Sequence, residues 1–151
     1  MSKIDISIVP ARNKRARILV VDDQRIWREG VRAFLTDLHN EWQVCGEAAD
    51  GDQAVAMAHA LEPDLVILDF GLPRANGLQA VSRLRKLGSK TPVLVFTIHE
   101  SDRLAEAMRA AGAQGCIVKS QATRDLVPAI ETILSGGSYF GREAAKSAAA
   151  K

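Results

Sequence analysis

Five short runs of apolar residues recur along the chain, and each is followed by a stretch whose apolar positions fall three and four residues apart. The first pattern is that of a buried strand and the second that of a helix with one buried face. Arg17-Ile18-Leu19-Val20-Val21 is the first run, and helical spacing of Trp27, Val31, Phe34, Leu35 and Leu38 predicts a helix from Gln24 to about Leu38, with Asp23 available to cap it. A weaker strand, Trp42 to Ala48, precedes an Ala-rich helix from Gln53 to Leu61 that must stop before Pro63. The third run, Leu65-Val66-Ile67-Leu68, is apolar without alternation, as a strand covered on both faces requires, and it ends at Asp69-Phe70-Gly71-Leu72-Pro73. Leu78, Ala80, Val81, Leu84 and Leu87 then predict a helix stopped by Gly88, Thr91 to Thr97 a fourth strand, and Leu104, Ala107, Met108 and Ala111 a helix from about Ser101 to Gly112. Gly115 to Lys119 predicts strand five, and a last helix runs to about Leu134 before Gly136-Gly137.

Repeated strand-then-helix units with right-handed crossovers imply an α/β fold, a five-stranded parallel sheet covered by helices on both faces. The expected strand order is 2-1-3-4-5, with the switch point between strands one and three. This order places Cys45 and Cys116 on opposite edges, about 19 Å apart at ~4.8 Å per strand spacing, too far for a disulfide. Both are expected to be buried, reduced thiols. Pro128 conflicts with the helical pattern of Leu126, Val127, Ile130, Ile133 and Leu134, so the last helix is expected either to start late, capped by Asp125, or to bend near its beginning. Residues 1–15, with the alternation Ile4-Asp5-Ile6-Ser7-Ile8 and a basic Arg12 to Arg15, are expected to form an N-terminal extension, 16–140 the folded domain, and 141–151 a helical tail or linker.

Composition narrows the classes of function. At 151 residues with 47% apolar and 25% charged side chains the chain suits one soluble domain. A net charge of +2 gives no argument for nucleic acid or an anionic membrane as partner. No apolar run approaches the ~20 residues of a membrane span, and the N-terminus lacks the apolar core of a signal peptide, so the expected compartment is the cytoplasm.

Laid on the predicted sheet, the C-terminal strand ends present Asp22-Asp23, Asp69, Thr97 and Lys119. Ligands of open α/β sheets bind at that edge. Carboxylates gathered in one crevice repel one another and resist desolvation, so a cation is needed, and all-oxygen donors without clustered His or Cys indicate a hard ion, Mg2+. Metal, lysine and carboxylate together suit phosphoryl transfer, with a carboxylate as nucleophile.

This set, in this order, resembles the receiver domain of bacterial two-component response regulators, over roughly residues 16 to 140. Asp22-Asp23-Gln24-Arg25-Ile26-Trp27-Arg28-Glu29-Gly30-Val31-Arg32 and Gly136-Gly137-Ser138-Tyr139-Phe140 resemble the branch that usually precedes a LuxR-type helix-turn-helix. The resemblance implies a flavodoxin-like fold in which Asp69 is the phosphorylation site and accepts a phosphoryl group from a sensor histidine kinase. It also implies Mg2+ bound by Asp23, Asp69 and the Gly71 carbonyl, with Asp22 acting through water. Thr97 would swing toward the phosphoryl oxygens and Lys119 would pair with them. The resemblance further implies a switching face from helix four to helix five and a homodimer through helix four, strand five and helix five. Output would be transcriptional, through a DNA-binding domain absent from this chain, which itself touches no nucleic acid.

Two positions depart from the family pattern. Cys116 stands where an aromatic switch residue is usual, and Ser120 replaces the proline after the lysine, which favours a trans 119–120 bond. His99, two residues past Thr97, falls where the family controls water access to the phosphate. Three alternatives carry less. A phosphatase or mutase with an aspartyl nucleophile needs an acid/base two residues on, where Gly71 stands. A nucleotide-binding fold needs a glycine-rich turn after strand one. An adaptor that binds proteins independently of phosphorylation is favoured by Cys116 but opposed by the intact acidic set.

Overall fold

Each apolar run becomes a strand and each periodic stretch a helix in the computed structural model, which describes residues 15–38 and 41–140. The strands are β1 (Ala16–Val21), β2 (Trp42–Ala48), β3 (Leu65–Asp69), β4 (Val93–Thr97) and β5 (Gly115–Val118). The helices are α1 (Arg25–Leu38), α2 (Gly51–Leu61), α3 (Gly77–Lys86), α4 (Asp102–Ala111) and α5 (Ala122–Leu134), the last entered through a 3-10 turn at Lys119–Gln121. All strand pairs are parallel and their order is β2-β1-β3-β4-β5, as the crossover argument requires. The stretch Ile4 to Ile8, His39 and the tail 141–151 lie outside the described residues.

Side chains that alternate along the strands divide the core in two. Leu19, Val21, Val66, Leu68, Val93 and Val95 face a layer formed by α2, α3 and α4 through Ala54, Ala58, Ala80, Val81, Leu84 and Met108. Ile18, Val20, Leu65, Ile67, Leu94 and Phe96 face α1 and α5 through Val31, Leu35, Leu126, Ala129, Ile130 and Ile133. Every residue of β3 is buried, which explains why that strand reads as continuously apolar until its final carboxylate. Each such Leu, Ile or Val contributes about 1.5–3 kcal/mol of burial, enough to hold Asp69 at a desolvated strand end.

Local chemistry sets the helix ends. Asp50, Asn76 and Ser101 cap α2, α3 and α4 by accepting hydrogen bonds from the N–H groups of Gln53, Gln79 and Leu104, and Gln79 completes a capping box. α2 therefore begins at Gly51, two residues before the predicted start. The turn into α1 is tied by Asp22, not by the predicted Asp23: Asp22 Oδ1 accepts from the Gln24 N–H at 2.8 Å. Lys119 lies just past β5, not within it. Leu87 belongs to the exposed end of α3.

Of the two alternatives for the last helix, the late start capped by Asp125 is overturned. α5 begins at Ala122 and continues through Pro128, whose ring sits on the exposed face, so the cost is one backbone donor with no ring in the core. Asp125 is not a cap. It is buried in the first turn and accepts hydrogen bonds from Tyr139 Oη and Arg124 Nη2, both at 2.9 Å. The two thiols are free and on opposite sheet edges, as expected, but Cys45 is only half-buried, because it sits where the β1–β2 register shifts. No cis peptide occurs among the described residues, so the 119–120 bond is trans. No described helix is long and apolar enough to cross a membrane.

After α5 the chain returns to the outer edge of β5. Tyr139 bridges Gly115 in parallel, with the Tyr139 N–H donating to Gln114 O at 2.9 Å and the Cys116 N–H donating to Tyr139 O at 3.0 Å. Phe140 is buried in the same core layer as Cys116 and Met108, and the Arg109 guanidinium lies 4.1 Å from its ring centroid.

Two glycines predict opposite responses to the same substitution. Gly30, inside α1, has nothing near its absent Cβ, so Gly30→Ala is expected to stabilise the fold by about 0.5–1 kcal/mol. At Gly51 a Cβ would lie 2.0 Å from the Ala75 carbonyl oxygen in the loop after β3, so Gly51→Ala is expected to cost about 1–3 kcal/mol. Urea unfolding midpoints of the two variants should move in opposite directions.

Candidate functional site

The C-terminal edge of the sheet gathers side chains from three separate segments. Asp22 and Asp23 follow β1, Asp69 ends β3, and Lys119 follows β5. The three aspartates each offer a carboxylate oxygen, and these oxygens lie within 4.8 Å of one another. Asp22 and Asp69 are buried and Asp23 is exposed, so the cluster opens to solvent on the Asp23 side. Lys119 Nζ lies 2.7 Å from Asp22 Oδ2 and 3.4 Å from Asp69 Oδ1. Thr97 ends β4 beside Asp69, but its hydroxyl donates to the His99 carbonyl oxygen at 3.2 Å and does not point to the carboxylates. The His99 residue itself is exposed, and His59 lies on the exposed side of α2.

Charge is unevenly balanced here. One ammonium faces three carboxylates, and the Asp69 carboxyl is pushed above its ordinary range. Burial is the main cause and the charge of Asp22 adds to it, while Lys119 and the Gly71 backbone N–H, which donates to the carboxylate, pull the other way. Asp22 Oδ2 is buried and accepts no aligned hydrogen bond; its Lys119 neighbour is a charge contact. An under-satisfied buried oxygen among clustered carboxylates is what a hard divalent cation would relieve, so this pocket is chemically suited to one.

Residues to which the sequence pattern assigned no part in the site stabilise this arrangement. Arg28 Nη1 donates to the Asp22 backbone oxygen at 2.6 Å, and its Nε donates to Glu47 Oε1 at 3.0 Å. Arg32 joins Glu47 from the next turn of α1 at 2.7 Å. Burial alone would raise the Glu47 carboxyl, but hydrogen bonds from Arg32 and Arg28 outweigh it and hold the group below its usual range. Trp27, on the same turn, places its ring centroid 4.7 Å from Lys119 Nζ and 5.7 Å from the Phe96 ring centroid. Nothing in the sequence signals these contacts, because they join α1 to β2 and β5 through the tertiary fold.

A doubly wound α/β domain with an acidic pocket and a lysine at its switch point is the architecture of a signalling receiver. The family profile for the response regulator receiver domain matches residues 18–131, and the chain belongs to that family. The nitrate/nitrite response regulator protein NarL of Escherichia coli (strain K12) is 33% identical over 123 residues, covering 80% of this chain and 56% of that protein. The transcriptional regulatory protein DegU of Brevibacillus brevis is 29% identical over 126 residues, covering 83% of this chain and 53% of that one. This chain thus spans about half the length of these curated relatives. The crystal structure of a two-component response regulator of the LuxR family from Aurantimonas sp. SI85-9A1 superimposes with a TM-score of 0.82 at 34% identity, covering 88% of this chain and 94% of that one. The relatives are of the LuxR and NarL type, the branch that the sequence resembles. Receiver domains of this family are signalling domains, not classical enzymes.

The raised Asp69 carboxyl predicts a stability signature. A carboxyl that titrates higher in the folded chain than in the unfolded one favours folding while protonated, so its ionisation weakens the fold as pH rises above the usual Asp value of about 4. Asp69→Asn should therefore be more stable than wild type at pH 7 in chelator, by a margin that shrinks as pH falls toward about 4. Urea midpoints measured across that pH range, with and without a divalent cation, report both the sign and its relief by metal.

Proposed function

We propose that this chain is a phosphorylation-controlled receiver whose acceptor is Asp69. The observation that carries the proposal is the convergence of Asp22, Asp23, Asp69 and Lys119 on one strand edge, buried at Asp22 and Asp69 and open to solvent at Asp23. In this reading the donor is the phosphohistidine of a sensor kinase. A carboxylate oxygen of Asp69 attacks phosphorus; the P–O bond forms as the P–N bond breaks, and the imidazole leaves with the electron pair and is protonated by solvent. Mg2+ would be held by Asp23, Asp69 and the Gly71 carbonyl, with Asp22 acting through water, and when bound it would neutralise charge on the phosphoryl oxygens. Lys119, already between Asp22 and Asp69, pairs with those oxygens. The Thr97 hydroxyl leaves the His99 carbonyl for them.

Because the phosphoryl group rewards one placement of Thr97 and Lys119, it shifts the β4-to-α5 face between two arrangements. Cys116 provides no ring for this face. Phe140, held against β5 by the Tyr139 bridge and covered by Arg109, supplies the aromatic there, so the signal passes to the segment that leaves the domain. Residues 16–140 form the receiver unit, with 1–15 an N-terminal extension and 141–151 a tail or linker. The partners are a sensor histidine kinase and a second copy joined through α4, β5 and α5, and the compartment of this chain is the cytoplasm. The output is transcription, through a DNA-binding domain outside this chain; the name of the transcriptional regulatory protein DegU supports the transcriptional part of this reading.

Incubation with Mg2+ and acetyl phosphate should add one hydroxylamine-labile phosphoryl group, seen by mass, and promote dimerisation. Asp69→Asn should reduce the label to background. Label that persists in the variant would identify a different acceptor and overturn the proposal. Dimerisation without label would favour the adaptor function.

A further inference from the structure

Among the described ion pairs, Lys119 is the only cation paired with the Asp22 and Asp69 carboxylates; Arg28 reaches only the Asp22 backbone. Its ammonium sits closer to Asp22 than to Asp69, 2.7 Å against 3.4 Å, on a flexible four-carbon stem. Any cation taken up by the aspartates competes with the ammonium for Asp22. A lysine held only by that ion pair would then be free to leave the strand edge.

We infer that Trp27 is a positioning residue for Lys119, its indole face retaining the ammonium beside Asp69; this rests on Asp69 being the phosphoacceptor. The ring centroid is 4.7 Å from Nζ, within cation–π range, and the Lys119 side chain is only 9% exposed, so little water competes for the charge. The indole is itself fixed. Its tilted contact with the buried Phe96 ring, at 51° between planes, ties it to the strand residue next to Thr97. With Ile26, Phe34 and Leu126 it also lines a mainly apolar open groove of about 430 Å3 that reaches Lys119. A cation on a π-face among apolar neighbours is held more strongly than one in water. This attraction does not depend on the charge of Asp22, so it persists when that carboxylate is neutralised.

The test separates an electrostatic role from simple packing. Trp27→Leu keeps an apolar side chain but removes the π-face, and should slow Asp69 labelling by Mg2+ and acetyl phosphate about three- to tenfold. Trp27→Phe should lose less. In a Trp42→Phe background, where Trp27 is the one tryptophan, progressively fluorinated tryptophan keeps the shape of the ring while weakening its quadrupole, and the logarithm of the rate should fall stepwise with fluorine number. A second readout needs no phosphodonor: the Lys119 Hε resonances, assigned with Lys119→Arg, should carry an upfield ring-current shift that persists in Mg2+ and disappears in Trp27→Leu. Equal rates across the fluorinated series, or Lys119 Hε shifts unchanged by Trp27→Leu, would overturn the assignment. Wild type that takes no label would instead defeat the phosphoacceptor reading, while the resonance measurement would still judge Trp27.

Discussion

Three carboxylates crowded onto one sheet edge with a single ammonium form the interaction on which the rest depends. Mutual repulsion and desolvation both oppose the cluster, visible in the raised Asp69 carboxyl. Such an arrangement persists only because the surrounding structure leaves these side chains nowhere else to go. β1 and β3 are hydrogen-bonded neighbours buried on both faces, so the chain must place Asp22 and Asp69 at adjacent strand ends. The resulting strain is also a source of specificity, because a cation at this edge would offset the negative charge that one ammonium leaves uncompensated.

The supports of this edge come mostly from one helix. Trp27, Arg28 and Arg32 on α1 reach Lys119, the Asp22 backbone and Glu47. The same helix buries Val31 and Leu35 against β1 and β3 neighbours, so its packing fixes the angle at which the first turn meets the site. Glu47 lies on β2, opposite Val20 in the register, and its pairing with two arginines ties the edge strand to the turn that carries the acidic pair. A site made of a few side chains is therefore held by contacts that run across two strands and a helix.

The outer edge of the sheet carries the largest departure from the expected pattern. A small Cys116 occupies β5, and the buried aromatic ring of that layer, Phe140, arrives from beyond α5. Gly115 makes this possible. A Cβ there would lie 2.5 Å from the Tyr139 carbonyl oxygen, so the close approach of the returning chain depends on the missing side chain. Tyr139 in turn donates to the buried Asp125, which links the return segment to the first turn of α5. Loss of a ring on the strand is thus accompanied by a docked segment that covers it.

Strand and helix identity, parallel order and the membership of the acidic set were legible in the chain, because apolar periodicity reports which faces are buried and a parallel sheet leaves its carboxylates at one edge. Leu65 to Asp69 shows this most directly: continuous burial on both faces, then a carboxylate where the sheet ends. The roles of Trp27, Arg28, Glu47 and Phe140 were not legible, since each depends on a distance between segments that no local pattern encodes. The same applies to Asp125, whose spacing suited a helix cap but whose partner, Tyr139, lies fourteen residues away. Sequence determined the fold and the chemical groups; tertiary packing decided which neighbours hold each charge, because electrostatic and aromatic contacts are set by separations of a few ångströms across the sheet.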